Sequence, residues 1–169
     1  MSILLLLGMA GFSALSPTSH QASKQSQVTD PNQLSFENLS RKDQLRELVL
    51  YGFGNSKAFK EFDLSMWTVN PGPGLAVHAV TKNSYSVMPA GTGAGGFPEI
   101  KIQQVPDKST NGIKTVIYFG NSTPGGFLPD PKSPVDVQDI DNYCNAQGGI
   151  KALNPIKFKD YRGTPPTEK

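Results

Sequence analysis

The chain has 169 residues, of which 37% are hydrophobic and 18% charged, with 17 Gly and 14 Pro. That length suits one ordinary domain, not two, and this much glycine and proline calls for wide turns without reaching a disordered or collagen-like composition. A net charge of +2 with no basic cluster interleaved with aromatics argues against nucleic acid as a partner, and a single cysteine, Cys144, excludes an intrachain disulfide.

In chain order, the first feature is an uncharged apolar run from Ile3 to Leu15, ILLLLGMAGFSAL. It is shorter than the roughly 20 apolar residues a membrane-spanning helix needs. It fits the apolar stretch of an export signal, or part of a longer hydrophobic helix. Residues 1–16 are therefore expected to direct the chain to a membrane or beyond it. Ile3, Leu4, Leu5, Leu6, Leu7, Phe12 and Leu15 supply the apolar surface. Residues 17–38 are polar and carry Pro17 and Pro31, which disfavour helix just before them, so they are expected to form a linker.

The domain proper is expected at 39–149. Ser40 and Asp43 make a capping pair for a helix over 41–51, whose apolar stripe is Leu45, Leu48 and Val49 and whose stop is Gly52. A shorter helical turn is expected at 56–62. The apolar period then changes. Residues 75–81, 85–89, 99–105 and 113–119 read as four strands of an antiparallel meander, the last rich in β-branched and aromatic residues. A final helix is expected over 134–147, with Ser133 as cap and Pro134 in its first position. Residues 150–169 read as an irregular, locally basic tail. The expected class is α+β: a hydrophobic N-terminal helix, then a four-stranded antiparallel sheet with one or two flanking helices.

No motif specifies a reaction. Gly91, Gly93 and Gly96 have the spacing of a dinucleotide-binding loop, but Phe97-Pro98 and a strand follow where a helix would have to begin. His78 lies inside a strand and far from Cys144, so neither a metal site nor a nucleophilic pair is built locally. Asp130, Asp136, Asp139 and Asp141 lack the ligand order of a calcium loop and fit helix-start acids better. Trp67 reads as a core anchor. No catalytic residue, cofactor or metal is expected. The glycine-rich loops 70–74, 90–97 and 120–127 would gather at one end of a meander. There Phe97 and Phe127, with Gly93, Gly125 and Gly126, would form a partner-contact surface.

The leading segment resembles the hydrophobic helix of type IV pilins and pseudopilins. Gly8, Ala14 and Leu15 match its apolar part, and Gln21, Ala22 and Lys24 the polar residues after it. The family's basic leader and glutamate-containing start would lie ahead of Met1. The resemblance implies a filament or secretion-apparatus subunit, held in the membrane and then packed against copies of itself through this helix. Together these readings give an exported, non-enzymatic assembly or binding protein. It would sit at the inner membrane, in the periplasm or at the cell surface of a bacterium. The alternative is a freely secreted or periplasmic binding module or enzyme whose signal peptide is removed.

Overall fold

The first α-helix among the described residues, α1 (Arg41–Asn55), begins where the side chains dictate. Ser40 Oγ accepts the Asp43 backbone N–H at 3.2 Å and donates to Asp43 Oδ2 at 2.7 Å, satisfying one of the free N–H groups at the helix start. Helix α2 (Lys57–Glu61) is capped by Ser56, and Asp130 reinforces that cap by accepting from Ser56 Oγ at 2.6 Å and the Ala58 N–H at 3.2 Å. The computed structural model describes residues 30–68, 74–92 and 97–164.

The strands β1 (Leu75–Thr81), β2 (Ser84–Pro89), β3 (Pro98–Asp107) and β4 (Gly112–Thr123) form the antiparallel meander expected at these positions. The sheet is nonetheless larger than the four-stranded one expected. Three more strands join it: β5 (Gly126–Pro129), β6 (Val135–Asp136) and β7 (Phe158–Arg162). The strand order is β5-β4-β3-β2-β1-β7, with β6 also on β4. Strand β7 runs parallel to β1, so the sheet is mixed. An antiparallel meander alone would leave the β1 edge with unpaired backbone groups. The supposed irregular tail supplies the strand that covers it, preceded by a 3-10 helix at Gly149–Leu153.

The polar linker is corrected in the same way over its described part. Leu34 and Phe36 are buried in the core. Asn145 accepts the Leu34 N–H at 2.6 Å, Asp141 accepts the Phe36 N–H at 2.9 Å, and Gln44 donates to the Phe36 carbonyl at 2.8 Å. The last helix, α3 (Val137–Ala146), starts later than expected and is capped by Asp136. Ser133 instead exchanges two 2.9 Å hydrogen bonds with the backbone of Phe119, and the Ser133-Pro134 peptide is cis. The expected N-terminal hydrophobic helix, with Ile3, Leu4, Leu5, Leu6, Leu7, Phe12 and Leu15, lies outside the described residues. Among the described residues no helix is long and apolar enough to cross a membrane.

Register assigns each side chain to a face. Leu75, Val77, Tyr85, Val87, Ile100, Ile117 and Phe119 join the core with Leu45 and Leu48 of α1, Phe59 of α2, and Ile140 and Cys144 of α3. The opposite face carries His78, Ser84, Ser86, Glu99, Lys101, Gln103 and Tyr118.

Candidate functional site

That opposite face holds the most organised polar group outside the core. Register sets Ser84 opposite Lys101, and Ser86 opposite Glu99. Glu99 is only 4% exposed and Ser84 only 3%. Burying a carboxylate is costly unless it is paired. Here Ser84 Oγ donates to Glu99 Oε1, and the Lys101 ammonium lies 3.7 Å from the same oxygen. Lys101 Nζ also sits 4.1 Å from the centroid of the Phe127 ring, a cation–π geometry. The ammonium donates no hydrogen bond among the described residues.

Phe127 reaches Lys101 across the intervening strand β4 because the β4–β5 hairpin leans over this face. Gly120 permits it: a Cβ there would overlap the Leu128 carbonyl oxygen and press on the Pro129 backbone. The other side of the site is the β1–β2 turn, held down by the Ile102 N–H bonding to the Asn83 carbonyl at 2.8 Å. Between the two lies an open groove of about 590 Å³, floored by Glu99, Lys101 and Gln103 and flanked by Val80, Asn83, Ser122 and Phe127.

The expected contact residues are placed as follows. The Phe97 carbonyl accepts the Ser122 N–H at 3.3 Å, and Ser122 is in register with Phe127, so the three backbones adjoin. The rings have different neighbours. Phe97 packs 5.7 Å from Phe62, whereas Phe127 covers Lys101. Gly125 and Gly126 are exposed at the hairpin turn, Gly126 with φ of 109°. Gly93 lies outside the described residues. Sequence reasoning missed Ser84, Glu99 and Lys101. Their one signal was the two-residue spacing of Glu99 and Lys101, which puts opposite charges on one side of a strand.

The other candidates disperse. His78 lies on the groove face of the sheet and Cys144 in the core beneath the other face, so they form no pair. Burial first, then the Glu47 and Asp141 carboxyls, pushes the Cys144 thiol well above its ordinary pKa, leaving it a poor nucleophile. His78 Nε2 meets Asp160 Oδ2 at 2.8 Å, and Arg162 joins the same carboxylate at 3.0 Å. No hydroxyl bonds to His78 among the described residues, so this pair ties β7 to β1. The aspartates separate too. Asp130 caps α2, Asp136 caps α3 and pairs with Lys114 at 2.6 Å, and Asp141 is buried. Among the described residues no three His, Cys, Asp or Glu side chains could share a metal ion.

One further acid stands out in the core. Glu47 of α1 is 0% exposed, and both its carboxyl oxygens lack a hydrogen-bond partner. Burial, then the neighbouring Asp141 carboxyl, pushes its pKa up to about 9, and burial raises Asp141 as well. Both carboxyls are buried and Asp141 anchors the Phe36 backbone, which makes the pair part of the packing. No protein-family model, curated protein or solved structure matches the chain.

Proposed function

We propose that this chain is an exported, non-enzymatic binding protein that meets its partner through the groove between the β1–β2 turn and the β4–β5 hairpin. The observation that carries the reading is the Lys101 ammonium. It is held in place by Glu99 and Phe127, yet it keeps its hydrogen-bonding capacity for something outside the domain. A cation fixed in this way loses little conformational freedom on binding. Export rests on the apolar run Ile3–Leu15, which water rejects unless lipid or protein covers it. That run also supports a second reading, in which copies of the chain pack through it as pilin-like subunits.

Site-specific photo-crosslinking in the producing cell tests the contact surface. A crosslinker at Gln103 in the groove should yield a discrete adduct, whereas one at Lys57 on the exposed side of α2 should not. The reverse pattern contradicts the reading. The adduct's mass tells a second copy from another protein, and the intact mass of the fractionated protein reports whether Ile3–Leu15 is retained.

A further inference from the structure

We infer that the groove recognises a carboxylate carried by an extended segment of a partner protein, with Lys101 as the residue that binds it. The inference rests on the proposed contact role of the groove and names the chemistry of its occupant. Glu99 leaves the Lys101 donors unused, because at 3.7 Å the pair is an ion contact rather than a hydrogen bond. The Phe127 ring attracts the ammonium but accepts no conventional hydrogen bond. An incoming cation would meet Lys101 at the floor of the groove, and a neutral guest would forgo the charge. A guest carboxylate would form a charge-assisted bond while leaving the Glu99–Ser84 support untouched.

The shape of the floor favours an extended peptide. Glu99, Lys101 and Gln103 project from alternate positions of β3, so their repeat is about 7 Å, the same-face repeat of an extended guest strand. Lys101 occupies one face of the Phe127 ring, so that face is not free to stack on a sugar. Asn83, Gln103 and Ser122 offer amide and hydroxyl groups along the groove, suited to a peptide backbone.

The test is calorimetric titration of the full chain with two acetylated, amidated peptides of serine and threonine. One carries a central glutamate and the other glutamine. The glutamate peptide should bind at least about tenfold more tightly, the range expected for a hydrogen bond to a charged group. Lys101→Met should remove that preference and Lys101→Arg should retain it, with circular dichroism confirming that both variants fold. Equal binding of the two peptides, no binding of either, or a preference that survives Lys101→Met overturns the inference. So does inorganic phosphate binding as tightly as the glutamate peptide, since the site would then be a general anion site. Should Lys101→Met fail to fold, the wild-type comparison of the two peptides decides alone. A failed titration alongside a persistent Gln103 adduct would reject carboxylate recognition and leave the contact surface standing.

Discussion

Lys101 of β3 and Phe127 of β5 meet across the intervening strand β4, ammonium to ring centroid at 4.1 Å. The contact requires β5 to bend over the sheet, and the absence of a side chain at Gly120 makes room for the Leu128 carbonyl to do so. Gly120→Ala should therefore cost about 1–3 kcal/mol, as overfilling a packed position does. It should also move Phe127 off Lys101. Urea unfolding measures the first effect and the side-chain NMR shift of Lys101 the second. An unchanged Lys101 signal would mean that the hairpin holds its position without this close approach.

The two phenylalanines first read as one surface should separate on mutation. Phe97 packs on Phe62, which itself lies against the core, so Phe97→Ala should lower stability by about 1–2 kcal/mol. Phe127 lies over an exposed-side cation, so Phe127→Ala should cost less than about 1 kcal/mol but weaken partner crosslinking from Gln103. Unfolding curves of both variants, beside the crosslinking yield of Phe127→Ala, distinguish the roles.

Glu47 gives the molecule a pH dependence of definite sign. Its carboxyl titrates near 4.5 when unfolded and at about 9 when buried, so between those values the folded state holds a proton the unfolded state has lost. Its contribution to stability is complete below about pH 4.5 and drains away as pH rises through 9, at up to about 1.4 kcal/mol per pH unit. Asp141 is shifted upward and acts in the same direction. Glu47→Gln keeps the shape and removes the titration. Urea midpoints at pH 5, 7 and 9 should fall for the wild type and flatten for the variant. The variant should be level with the wild type at pH 5 and clearly ahead of it at pH 9. Parallel curves would contradict a protonated Glu47.

The tie between β1 and β7 should respond to acid in the opposite sense. Hydrogen bonds from His78 and then Arg162 hold Asp160 below its ordinary carboxylate pKa. Its contribution is present above the unfolded value near 3.8 and is lost as pH falls through the lower folded one. Asp160→Asn should speed amide exchange several-fold across Phe158–Arg162 while leaving β3 and β4 unaffected. Uniform acceleration would mean that β7 opens only with the whole sheet.

What could be read from the chain followed the range of the interactions. Strands β1 to β4 and the start of helix α1 advertise themselves through local alternation, capping and apolar spacing, and lie where those signals put them, whereas α1 runs on through Gly52, the expected stop, to Asn55. Strand β7, FKDYR, alternates too weakly to be recognised. Its place is set by parallel pairing with β1, some eighty residues earlier, and by His78 finding Asp160. Leu34 and Phe36 looked like part of a polar linker because the carboxylate and amide that anchor them, Asp141 and Asn145, lie more than a hundred residues away. The same holds for the groove. Phe127, Gly125 and Gly126 were visible as part of a glycine-rich loop, but the hairpin they form was not, and the burial of Glu99 depends on β2 register, which brings Ser84 within hydrogen-bonding reach of it.

The most direct test of the groove as the contact surface is lysine footprinting in the producing cell. A small acylating reagent is applied there and to the purified chain, and modification is quantified by mass spectrometry at Lys101 and at the exposed Lys57. Protection of Lys101 in the cell, with Lys57 labelled equally in both settings, is the result expected. Equal labelling of Lys101 in the two settings would contradict the assignment of this face as the site of contact.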